Sequence, residues 1–156
     1  MTYRIEGLDP GAFANLVGAD EAKLAELGAM RVTATSKPGF PCRISLDDAE
    51  IGETLILLNH VSHDVATPFR SAFAIYVREQ ASEAARYTDQ IPPALAGRPL
   101  ALRCFDSAGM LRDAALALAG EADAAIRTLL ADERIAYIHA HNAAHGCFAA
   151  RVERTE

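Results

Sequence analysis

Apolar and polar residues alternate with two different periods along this chain, and the changes of period mark its elements. Over 10–28, Phe13, Leu16 and Val17 share a helical face that Ala22, Leu24 and Leu27 continue. The spacing predicts helix there, divided at Gly18 and stopped at Gly28. "MRVTAT" (30–35) reads as a short strand, followed by the stiff turn "KPGFPCR". "ETLILLNHV" (53–61) is apolar at adjacent positions, the pattern of a strand covered on both faces and therefore central in its sheet. "SAFAIYVRE" (71–79) alternates Phe73, Ile75 and Val77 with smaller or polar residues, and "PLALRCF" (99–105) places Leu100, Leu102 and Cys104 on one face. Between them "QIPPALAG" reads as a loop with one helical turn. Asp106-Ser107-Ala108-Gly109 forms a hairpin loop leading into a strand over 110–118. Residues 121–131 read as a helix, with Ala122, Ile126, Leu129 and Leu130 on one face and Glu121 and Asp123 at its positive end. Two last strands span 134–141 and 147–154. Strands in succession with few helices predict an α+β fold over residues 1–156, one domain, with a mainly antiparallel sheet and two or three helices packed on it.

The last two strands flank "IHAHNAAHGCF" (138–148), three histidines, an asparagine and a cysteine in eleven positions. Paired as a hairpin with His141 opposite Cys147, the strands sort cleanly. Ala136, Ile138, Ala140, Phe148, Ala150 and Val152 fall on an apolar core face, and Tyr137, His139, His141, Cys147 and Arg151 on the other. On this register either solvent or a ligand lies over the His and Cys side chains.

Three chemistries fit that layout. Cys147 can act as a nucleophile or polar contact, with His139 or His141 as general base and Asn142 orienting an imidazole. His139 and His141, at i and i+2 on a strand, can instead offer two imidazoles to Zn²⁺, with Cys147 or His145 as third ligand and Cys42 or His60 from elsewhere; zinc is then the cofactor. The histidines can also bind a small anion together with Arg151. The plain alternative is a half-exposed polar hairpin with Cys147 as filler.

In "KPGFPCR" two prolines and a glycine fix the backbone around Phe40 and deliver Cys42 and Arg43 into a strand. Cys42 reads first as a buried residue of a rigid connector, and as a ligand contact otherwise. Arg43 offers a planar fork for a carboxylate or phosphate, and Arg70 in "TPFR" (67–70) does the same ahead of a strand. His60 and His63 read as loop residues at the end of a strand, and Cys104 as core.

Bulk properties narrow the function classes. A net charge of −6, with two lysines and thirteen scattered arginines, argues against nucleic acid as a partner. No apolar run reaches the length of a membrane span, no secretory signal opens the chain, and three cysteines make no disulfide framework, so a cytoplasmic setting is expected. A small molecule is the expected partner. A protein-interaction module is the third class; it requires a broad exposed apolar patch and no polar pocket.

Taken together, "PGFPCRISLDDAEIGETLILLNH", "TPFRSAFAIYVRE", "RCFDSAGM" and "YIHAHNAAHGCFAARVER" resemble, in order and from about residue 28 to 154, the bacterial family designated domain of unknown function 1203. The resemblance implies a compact bacterial protein and carries no activity with it. It draws attention to Cys42, Arg43, Arg70, His139, His141, Asn142 and Cys147, which lie in the matching segments.

Overall fold

The computed structural model describes residues 1–156 as an α+β fold built on two antiparallel sheets. The larger has six strands in the order β5-β1-β9-β8-β6-β7: β1 (Thr2–Glu6), β5 (Arg86–Thr88), β6 (Leu100–Phe105), β7 (Leu111–Ala117), β8 (Tyr137–Asn142) and β9 (Phe148–Thr155). The smaller has three, β2 (Met30–Thr33), β3 (Thr54–His63) and β4 (Ser71–Arg78), with β3 in the middle as its two-sided apolar pattern predicts. No helix is long and apolar enough to cross a membrane.

Each sheet has its own apolar cover. Helix α3 (Ala122–Leu130) lays Ala122, Ile126, Leu129 and Leu130 on the large sheet, and α2 (Pro93–Ala96) adds Ala94 and Leu95. Beneath them lie Ile5, Leu100, Leu102, Cys104, Ile138, Ala140 and Val152, all fully buried or nearly so. A second cluster joins Phe13, Leu16 and Leu24 to Cys42, Ile44, Ile56, Ile75 and Val77 of the small sheet and its flanking loop.

Three expectations are corrected. The segment 10–28 divides at Gly18 as expected, but it is less helical than its spacing implies, with a 3₁₀ turn at Pro10–Phe13 and the short α1 (Glu21–Glu26). Gly18 takes the left-handed conformation (φ 71°) and Asp20 caps α1 by accepting from the Lys23 amide, so the face is interrupted. Phe13, Leu16 and Leu24 are buried, while Val17 and Leu27 are exposed. Cys42 and Arg43 do not enter a strand; the segment makes only isolated bridges, Pro41 with Asp48 and Cys42 with Tyr76. Finally, β1 and β5 join the large sheet although neither was expected from the pattern.

The N-terminal strand is fixed to the Pro41–Ile44 loop by a close backbone crossing. Gly7 donates to Ala85 O at 2.9 Å and Leu8 to Arg43 O at 2.8 Å. A Cβ on Gly7 would stand 1.9 Å from Ile44 O, where neither backbone can yield. Gly7→Ala should therefore lower stability by ~2–4 kcal/mol in urea unfolding. Gly97→Ala, where a Cβ meets nothing, should stay within about 0.5 kcal/mol of the parent.

Candidate functional site

β8 and β9 form the expected hairpin, but in a different register. Tyr137 stands opposite Glu153, His139 opposite Arg151 and Ala140 opposite Ala150, with a bulge before His141 meets Phe148. A displacement of two residues preserves the alternation, so Tyr137, His139 and His141 keep one face and Ile138 and Ala140 the other. The bulge does not preserve it. Ala149 is the extra residue, and it turns Phe148 from the expected core face onto the histidine face.

The sequence left solvent or a ligand over that face; protein covers it instead. The end of β3 and the start of β4 lie over it. His139 and His141 are each only 2% exposed. His139 has His63, Phe105 and Phe148 around it at 5.0–5.4 Å between ring centroids. His141 meets the Phe73 ring at 4.9 Å. His63 holds the two sheets together: its Nδ1 donates to Phe69 O at 2.9 Å, leaving Nε2 to accept from Tyr137 Oη at 2.6 Å. His141 Nδ1 donates to Gly146 O at 2.9 Å. Burial pushes His139 down to about 3, with no hydrogen bond to offset it, and His141 down to about 4. Both imidazoles are neutral near pH 7.

The pocket opens beside these histidines. It has a volume of about 610 Å³, with Arg43 and Pro41 on one side, Phe73, Tyr76 and Leu57 on another, and Asn142, His145 and Cys147 from the hairpin loop. The loop is pinned at its mouth by Asn142 N donating to Cys147 O (3.0 Å) and Gly146 N to Asn142 O (2.8 Å), with Gly146 left-handed at φ 81°. Cys147, a free half-buried thiol, is therefore held at a fixed point on the wall.

Arg43 reaches it from 104 residues away in sequence. Its Nη2 donates to Cys147 Sγ at 3.1 Å, its Nε to Phe148 O at 2.7 Å and its Nη1 to Pro41 O at 2.6 Å. Asn142 Nδ2 donates to the same sulfur at 3.5 Å, while Asn142 Oδ1 is buried with no partner. Arg43 is 2% exposed and pairs with no carboxylate. Burial lowers its pKa from the ordinary guanidinium value, and the charge and hydrogen bond of Cys147 oppose that most strongly. The second basic residue of the pocket, Arg98, is engaged by Asp48 at 2.7 and 3.0 Å, and Asp48 also accepts from Gly39 N.

The candidate residues thus divide. Arg43, Asn142 and Cys147 come together on the pocket wall, whereas His139 and His141 lie behind it, among aromatic rings. Cys42 is 1% exposed in the small-sheet core, its sulfur accepting from the Ile44 and Arg78 amides at 3.3 Å. Arg70 is exposed, paired with Asp64 at 3.2 Å, and lines a separate, shallower depression with Arg103 and Phe105. Arg151 is out of reach of the pocket, stacked 3.9 Å over the Tyr137 ring and paired with Glu153. His60 and His63, expected in a loop, belong to β3. No three His, Cys, Asp or Glu side chains are placed to share a metal ion.

The sequence reading missed Arg98, Phe73 and Tyr76 as pocket residues. Phe73 and Tyr76 carried an ordinary strand pattern, and Arg98 stood after a helical turn with no local signal of its partner.

A family model described as "Protein of unknown function (DUF1203)" matches residues 39–154, which contain both the Pro38–Arg43 turn from Gly39 onward and the whole hairpin. No curated protein and no solved structure matches the chain.

The buried histidines give the stability a pH signature. Both have folded pKa values below the ordinary 6.5, so the unfolded chain binds their protons first. Their contribution is complete above about pH 6.5 and is lost as the pH falls toward 4, by up to ~1.4 kcal/mol per pH unit for each group. Carboxylates held low by arginines, such as Glu79 at about 2, act only below the usual carboxylate range. Urea unfolding at pH 7, 6 and 5 should show this slope, to which His60, also lowered by burial, adds, and His139→Phe should reduce it.

Proposed function

The chain belongs to this family of unknown function, and we propose that it is a small-molecule enzyme or binding protein whose ligand occupies the pocket between the Pro38–Arg43 turn and the hairpin loop. One observation carries the reading: a buried guanidinium with no carboxylate partner donates to the sulfur of Cys147 on the pocket wall. A guanidinium and an amide that both donate to one sulfur hold it at a fixed point on the cavity wall, where a bound molecule meets it. The remaining wall is mostly apolar, as expected of a site that recognises an organic molecule through a few polar contacts.

In this reading Cys147 touches the ligand, and it is the nucleophile where the bound molecule is electrophilic. Arg43 and Asn142 position the sulfur. His141 supports the loop through Gly146 O rather than acting as a base from the wall. His145, on the pocket lining, is the imidazole within the site. The polar pocket weighs against a protein-interaction module, although β7 does expose Leu111 and Leu116.

Iodoacetamide labelling with mass-spectrometric readout tests the reading. Native protein should take up label at Cys147 alone, because Cys42 and Cys104 are buried and burial pushes Cys104 up to about 12. Denatured protein should take up three labels, one for each cysteine. Arg43→Lys, which keeps the charge but cannot repeat the three-point fork, should slow labelling by about tenfold, and Asn142→Ala by a smaller factor. Native labelling no faster than that of a free thiol, and unchanged in both variants, would remove Cys147 from the site.

A further inference from the structure

The pocket is basic in an acidic chain. The net charge is −6, yet Arg43, Arg98 and His145 line the pocket and no Asp or Glu does. Arg98 has its counter-charge in Asp48, whose side chain is 7% exposed. Arg43 does not. Two of its three polar partners are carbonyl oxygens, which satisfy hydrogen bonds without neutralising a charge, and the third is a sulfur that is uncharged whenever it holds its proton. A buried cation without a counter-ion is costly, and the opposite charge can come from Cys147 or from outside the chain.

The donor inventory shows what an outside group would meet. Each terminal nitrogen of a guanidinium carries two hydrogens, and Arg43 has engaged one on Nη1 and one on Nη2. One N–H therefore remains on each. Arg43 lines the cavity, where these donors and the charge meet a carboxylate. Phe73, Tyr76 and Leu57 supply an apolar wall for the rest of the molecule. Asn142 shares the wall through Nδ2, which donates to Cys147 Sγ.

We propose that the pocket takes a small organic carboxylate with an apolar body, its carboxylate on Arg43 and its apolar part against Phe73 and Tyr76. The inference rests on the reading of this pocket as the functional site. It adds the charge class of the ligand, whose carboxylate lies beside the Cys147 sulfur on one guanidinium. Binding then covers the sulfur and slows its labelling.

The test is calorimetric titration of the whole chain with 3-phenyllactate, 3-phenylpropionate and 3-phenyllactamide, beside Cys147 labelling in the presence of each. 3-Phenyllactate should bind and slow labelling. The amide, which lacks the charge, should bind at least about tenfold more weakly, while the propionate, which keeps both the charge and the ring, should bind within a few-fold of the lactate. Cys147→Ser, which keeps an acceptor at that point, should bind 3-phenyllactate within a few-fold of the parent, and Arg43→Met should lose it. Because Arg43→Met can fail to fold, the acid-to-amide comparison on the parent protein is decisive by itself. Equal binding of acid and amide, or no binding of either acid at millimolar concentration, overturns the inference. Equal protection of a reactive Cys147 by acid and amide would overturn it while leaving the pocket as the functional site. Carboxylate binding with an unreactive Cys147 would do the reverse, removing the thiol from the chemistry and keeping the anion site.

Discussion

The guanidinium of Arg43 is the tie on which the site depends. It joins a rigid loop to the hairpin loop by three hydrogen bonds, to Pro41 O, Phe148 O and Cys147 Sγ. The loop it springs from is held in turn by Leu8 N on Arg43 O and by Arg43 N on Tyr76 O. A lysine could carry the charge but could not span three acceptors in one plane. Shape and charge are therefore supplied by the same side chain, and the shape is bought with a buried charge.

The contact between the two sheets has an unusual composition for an interior. Where an all-apolar seam would pack well, the chain places His63, His139 and His141 among Phe69, Phe73, Phe105, Tyr137 and Phe148. Rings packed edge to face gain from their quadrupoles in specific arrangements, which orients one sheet against the other more narrowly than aliphatic side chains would. The Tyr137–His63–Phe69 O chain adds a directional link. Burial favours the neutral imidazole at His139 and His141, so these two residues, which help set the geometry, also make the seam sensitive to acid. Their part in the pocket is indirect: His141 holds Gly146 and packs on Phe73, two elements of the pocket's surroundings.

Much of the fold was legible because local patterns and burial agree. The two-sided apolar run of β3, the alternation of β4 and β6, the Asp106–Gly109 turn and the face of α3 all fold as their periods indicate. β1 has no distinct signature in the chain: Tyr3 and Ile5 alternate with Thr2, Arg4 and Glu6, a five-residue signal too short to stand out before its partners are known. The hairpin shows where pattern ends. Its faces follow from alternation, but a shift of two residues leaves alternation unchanged, and the bulge at Ala149 has no signature that distinguishes it from its alanine neighbour.

The sequence by itself determined the class of fold, the clean separation of faces on β8, and the two segments that carry the chemistry, "PGFPCR" and "HAHNAAHGCF". These are properties of neighbours along the chain, set by side-chain period and backbone stiffness. Tertiary structure alone decided which of those residues meet. It put the two strand histidines inside an aromatic seam, kept Cys42 in the core, set Arg70 apart, and brought Arg43 onto Cys147 across 104 residues. That outcome depends on how two sheets and two loops pack, and no local period encodes the counter-ion of a distant charge.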